Sequence, residues 1–115
     1  MHELQITERI LEIALKHAGN DVSRIVRIHM RIGAMSDLED QWIQHYFDYL
    51  SRGTVAENAQ LAITRAPVVV RCLSCSCSFD VTREELGRAH CPDCGETGLE
   101  LVAGREYVIE NMEVL

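Results

Sequence analysis

Four cysteines constrain this 115-residue chain more than any other feature: Cys72-x-x-Cys75 and Cys91-x-x-Cys94, two pairs with 15 residues between them. Two intervening residues let the backbone form a tight knuckle that sets both sulfurs on one edge of a metal ion. The second pair then supplies the opposite edge of the tetrahedron. Pro92 and Gly95 suit the second turn. Four thiolates close the coordination sphere, so the spacing predicts a structural Zn²⁺ site with no open position for water or substrate. The same donor set suits iron, and the module would then pass single electrons as a rubredoxin-like site does. Colour separates the two, because ferric thiolate absorbs visible light and Zn²⁺ does not. Cys77 reads as a bystander thiol, although it could exchange with Cys75, and His90 reads as a solvated neighbour of the second knuckle.

All five cysteines fall between positions 72 and 94, and an odd number is awkward for a disulfide framework. Ligand duty in a reducing compartment fits better, so the chain is expected in the cytoplasm. Hydrophobic residues at 47% and charged residues at 25% predict a folded domain rather than a disordered one. No apolar run approaches the roughly 18 residues that cross a bilayer, and Glu3, Glu8 and Glu12 give the N-terminus the wrong charge for a signal peptide. The net charge of -7 repels phosphate backbones, which argues against nucleic acid and for basic protein partners or cations.

Residues 4–18 place Leu4, Ile6, Ile10, Leu11, Ile13, Ala14, Leu15 and Ala18 at helical period, with Gly19-Asn20 to end the helix. Val26 to Ile32 alternates apolar and basic residues, the pattern of a strand with one face on a core, and Gly33 ends it. Ser36-Asp37-Leu38-Glu39 matches a capping box for a second helix running to about Leu50. Trp42, Ile43, Tyr46, Phe47 and Leu50 form its expected core stripe. Residues 60–66 read as another strand with Leu61 and Ile63 inward, interrupted by Pro67, and Tyr107-Val108-Ile109 with Met112-Val114 resumes strand character. The expected fold is therefore α+β: two helices packed on a small three-stranded sheet, with an inserted four-cysteine zinc-ribbon module. Residues 1–67 and 104–115 would form one discontinuous domain, and residues 68–103 the zinc-binding one.

Met1-His2-Glu3 is chemically suggestive, because a histidine in second position forms fused chelate rings with its own backbone. A divalent metal can take the Met1 amine, the His2 backbone nitrogen and the His2 imidazole, with Glu3 supplying the fourth donor. Nitrogen-rich planar sites of this kind suit Ni²⁺ or Cu²⁺. A histidine at position 2 is by itself also an ordinary residue on a frayed terminus. His17, His29 and His45 have no ligand spacing among themselves, and no nucleophile–base pair or open metal site suggests an enzyme.

Taken together, these pieces give a chain that resembles the HypA/HybF family of hydrogenase nickel-incorporation proteins. The resemblance runs through Met1-His2-Glu3-Leu4, Arg31-Ile32-Gly33, Phe47, Arg52-Gly53-Thr54-Val55-Ala56-Glu57 and the two cysteine pairs, in that order. Cys77 is not part of the motif. The resemblance implies a releasable Ni²⁺ site at Met1, His2 and Glu3, and structural Zn²⁺ at Cys72, Cys75, Cys91 and Cys94. It also implies two partners, a nickel-binding GTPase and the large-subunit precursor of a [NiFe]-hydrogenase, with urease maturation sharing the pathway in some organisms. A monomer or weak dimer is expected. The rival reading is a zinc-ribbon interaction module that ferries no metal; blocking the Met1 amine would spare that role and cripple nickel binding.

Overall fold

The computed structural model describes the backbone from His2 to Leu115 and the side chains from Glu3 onward. The order of elements is α1 (His2–Ala18), β1 (Ile25–Gly33), α2 (Asp40–Leu50), β2 (Gln60–Ala66), β3 (Val68–Cys72), β4 (Ser78–Val81), β5 (Leu99–Ala103) and β6 (Tyr107–Val114), with a 3₁₀ turn at Leu86–Arg88. Two three-stranded sheets result, in the orders β2-β1-β6 and β4-β3-β5. The chain divides into two compact units, the first taking the segments up to Arg31, Asp37–Thr64 and Val108–Leu115, the second Ile32–Ser36 and Arg65–Tyr107.

In the first unit α1 and α2 pack on each other, and the centres of both helices' apolar stripes are buried, as is the inward face of β1. Ile10 and Ala14 from α1, Ile43 and Phe47 from α2, and Ile25, Ile28 and Met30 from β1 are all essentially inaccessible to solvent. Burying an aliphatic or phenyl side chain this completely contributes about 1.5–3 kcal/mol each. Thr7, buried among them, satisfies its hydroxyl by donating to the Glu3 carbonyl one turn earlier. The half-buried Gln44 ties α2 to the start of β2: its Oε1 accepts from the Leu61 N–H at 2.8 Å and its Nε2 donates to the Ala59 carbonyl at 3.3 Å.

Two expectations about α2 are corrected. Ser36 does not cap it; the helix starts at Asp40 behind Glu39, with no side-chain capping bond. Residues 34–36 are instead held by backbone bonds, Ala34 N–H to Ala66 O at 2.9 Å, Met35 N–H to Gly104 O at 2.7 Å and Ser36 N–H to Gly33 O at 3.0 Å. The stripe also buries only its centre: Ile43 and Phe47 are core, whereas Trp42 is 45% exposed.

In the second unit β3 is central and antiparallel to both neighbours, pairing Val70 with Phe79 on one side and with Leu101 on the other. Arg71 makes an ion pair across to Glu100, and a bulge lies between Val69 and Val70. Ile32, Ala66, Val68, Val70, Cys72 and Cys91 supply the buried apolar surface, so the cysteines themselves are part of this small core.

Candidate metal centre

The metal site grows out of how the chain leaves β3. Cys72 is its last residue, and the knuckle that follows is the turn into β4. The Cys72 N–H donates to the Cys77 carbonyl at 2.8 Å, and the Ser76 N–H returns to the Cys72 carbonyl at 2.9 Å. The second knuckle repeats this geometry: Cys91 N–H to Glu96 O at 2.9 Å, and Gly95 N–H to Cys91 O at 2.8 Å. The returning donor sits in the left-handed region in both, with φ of 65° at Ser76 and 77° at Gly95. The Leu73 N–H, donating to Gly98 O at 2.9 Å, ties the first knuckle to the start of β5.

These turns bring four sulfurs within 4.8 Å of one another, from Cys72, Cys75, Cys91 and Cys94. The closest approaches cross between knuckles, Cys72 to Cys94 and Cys75 to Cys91, both at 3.5 Å. Thiolates about 2.3 Å from a tetrahedral Zn²⁺ lie about 3.8 Å apart, so the four donors fit such an ion with little adjustment. Among the described residues this is the one cluster of three or more histidine, cysteine or acidic side chains able to share an ion. The first cysteine of each pair is buried and the second exposed, so the site has a closed inner edge and an outer edge facing solvent.

Proton affinities divide the same way. The Cys75 N–H and the Ser74 N–H lower the pKa of Cys72 against its desolvation, and the N–H groups of Cys94 and Asp93 bring Cys91 down to about 7. For Cys75 and Cys94 the balance reverses. The Cys77 and Glu96 N–H groups favour their thiolates, but hydrogen bonding with the neighbouring sulfurs together with desolvation raises both, Cys94 to about 12. A divalent cation amid four sulfurs removes that mutual cost, which is the electrostatic reason such a cluster takes up metal.

Cys77 lies outside the cluster. Its hydrogen bond to the Asp93 carboxylate and its desolvation push the thiol up to about 11, so it holds its proton. His90 is exposed and lines a cavity of about 570 Å³ with Phe79, Asp80, Glu85 and Arg88. Of the residues expected to hold Ni²⁺, Met1 and the His2 side chain lie outside the described residues, while Glu3 stands half-buried in the first turn of α1. Sequence reasoning missed Ser76, although its place four residues after Cys72, matching Gly95 after Cys91, marks it as the turn's left-handed residue.

An α+β unit joined in one chain to a four-cysteine cluster able to hold an ion defines a class of small metal-binding protein. The family model described as hydrogenase/urease nickel incorporation, metallochaperone, HypA matches residues 1–114. The hydrogenase maturation factor HypA of Geotalea daltonii is 34% identical over 115 residues, covering 100% of both chains, and that of Geobacter sulfurreducens is 35% identical over 99% of each. A solution structure of the nickel metallochaperone HypA from Helicobacter pylori superposes with a TM-score of 0.71 at 22% identity, covering 98% of this chain and 97% of that one. A second HypA solution structure gives 0.75 at 24% identity, covering 100% and 97%. The chain belongs to the HypA family, whose members are non-catalytic metal carriers of hydrogenase maturation. Among the described residues no helix is long and apolar enough to cross a membrane.

Proposed function

We propose that this chain is a nickel metallochaperone that takes up Ni²⁺ at Met1, His2 and Glu3 and delivers it to the large-subunit precursor of a [NiFe]-hydrogenase. The observation that carries this reading is the family match, which runs from the first residue through both cysteine pairs. A nickel-binding GTPase cooperates in delivery, and urease is a second recipient to be tested, since the family's description names it beside hydrogenase. The work takes place in the cytoplasm, by a monomer or weak dimer. Residues 1–67 and 104–115 serve nickel, and residues 68–103 hold structural Zn²⁺ through Cys72, Cys75, Cys91 and Cys94.

Transfer proceeds by ligand exchange. A helix that begins at His2 has no intrahelical partner for the His2 N–H, so coordination at that nitrogen breaks no helical hydrogen bond. The positive end of the helix dipole disfavours a cation there, and the Glu3 carboxylate offsets it, a balance suited to an ion that must be given away. Amine, imidazole and amide donors bind only after losing protons, so nickel affinity falls on acidification.

The test is calorimetric titration of Ni²⁺ into zinc-loaded wild type and His2→Ala. The variant is expected to lose nickel binding while zinc content and helical circular dichroism stay unchanged. Unaltered nickel affinity in His2→Ala would refute the assignment.

A further inference from the structure

Four of the chain's six aromatic residues lie on α2, and only Phe47 among them is buried. Trp42, His45, Tyr46 and Tyr49 recur at i, i+3, i+4 and i+7, along the side of the helix away from Ile43 and Phe47. The rings form a continuous surface: Trp42 meets His45 edge-on at 5.7 Å and Tyr46 at 6.1 Å, and His45 meets Tyr46 at 5.6 Å. Tyr49 is 63% exposed and Trp42 45%, large apolar areas that a folded chain has no internal reason to leave in water.

What this surface accepts is visible on it. The Arg52 guanidinium already lies 5.3 Å above the Tyr49 ring, a cation–π contact made by the chain with itself. Trp42 and Tyr46 offer further ring faces, with the carboxylates of Glu39 and Asp48 exposed at either side of the stripe. The chain as a whole carries -7, which repels a second copy of itself, nucleic acid and anionic lipid alike, and attracts a basic protein surface. Exposed aromatic side chains at helical spacing are the usual anchors of a docked helix. We propose that the aromatic face of α2 docks a basic amphipathic segment of a partner protein, with an Arg or Lys of that segment seated against Trp42 and Tyr46. The site makes no use of either metal.

The test uses the zinc-loaded full chain and a fluorescein-labelled helical peptide carrying Leu at i, i+3, i+4 and i+7 spacing and Arg elsewhere, followed by anisotropy. A peptide with Glu in place of Arg is the control. The Arg peptide is expected to bind at least about tenfold tighter than the Glu peptide. Trp42→Ala and Tyr49→Ala should each weaken it about tenfold or more, and Trp42→Phe less than about threefold. Asp48→Asn should reduce both affinity and salt dependence, whereas Glu12→Gln on α1, which removes the same charge elsewhere, should not. Both truncated side chains are exposed, and thermal unfolding of each variant verifies that the fold persists. The proposal is overturned if Trp42→Ala, or Tyr49→Ala should Trp42→Ala fail to fold, binds the Arg peptide as wild type does. Equal binding of the two peptides also overturns it, as does self-association that Trp42→Ala abolishes, which would assign the face to a second copy of this chain.

Discussion

Replacing Gly33 by alanine should damage the second unit far more than one added methyl suggests. A Cβ at this position would lie 2.1 Å from both the carbonyl carbon and the oxygen of Gly104, and 2.7 Å from the Arg105 nitrogen. Non-bonded heavy atoms sit about 3.5 Å apart, so the two backbone segments must separate by more than about 1 Å. Two hydrogen bonds span that gap, Gly33 N–H to Glu106 O at 2.8 Å and Met35 N–H to Gly104 O at 2.7 Å, and neither survives the movement. Losing them costs about 1 kcal/mol each and the overpacking a further 1–3 kcal/mol, so Gly33→Ala should destabilise by roughly 3–5 kcal/mol. At about 4 °C per kcal/mol for a chain of this size, the Tm falls by roughly 12–20 °C. Gly53→Ala is the control: with φ of 79° and nothing within 4 Å of an added methyl, it should lose only about 1 kcal/mol to backbone strain. Scanning calorimetry of both zinc-loaded variants decides the matter. A Gly33→Ala protein melting within a few degrees of Gly53→Ala would show that the close approach of Gly33 and Gly104 is not what demands a glycine.

Three further outcomes follow from the same geometry. Because Ser76 and Gly95 fill equivalent left-handed positions, Ser76→Gly should tighten Zn²⁺ binding about two- to fivefold and Gly95→Ala weaken it comparably, read by chelator competition. Gln44→Leu strands the Leu61 N–H and the Ala59 carbonyl and should cost about 2–3 kcal/mol in urea unfolding. Zinc should be released as pH falls from about 7 to about 4, measured with a chromogenic chelator, and retained as pH rises. The sign follows from the thiols: Cys91, lowered from the ordinary 9.0 to about 7, contributes fully above about pH 9 and loses that contribution as pH falls through about 7, and Cys94, raised to about 12, recaptures its proton readily. Equal zinc retention across that range would contradict the thiolate assignment.

Much of the scaffold is legible without coordinates. The periodicity of residues 4–18 locates α1 and the alternation from Val26 to Ile32 locates β1, because each pattern records a single buried face, and residues 60–66 coincide with β2, although Leu61, Ala62 and Ile63 are all half-buried there rather than alternating. Capping is less legible. The serine of the pattern at Ser36–Glu39 is not the N-cap of α2, where Glu39 stands instead, whereas Thr82–Glu85 forms a reciprocal box: Glu85 N–H donates to Thr82 Oγ1 and Thr82 N–H to Glu85 Oε1, both at 3.1 Å. Local sequence is equally suited to both; what differs is that backbone partners far along the chain, Ala66 and Gly104, already hold the first segment in place. The strands of the second unit are hidden as well, since a ribbon held by sulfur needs little apolar periodicity to announce them.

That four particular cysteines converge is written in the primary structure, because two pairs with two-residue gaps have few chemical uses and a tetrahedral ion suits them best. The helices and strands whose apolar faces repeat along the chain are written there too. Three things emerge solely once the chain is folded: which member of each cysteine pair is buried, why Gly33 must be a glycine, and that the aromatic side of α2 faces water. Those depend on which distant segments meet, and periodicity along a chain records that a face exists without saying whether anything covers it.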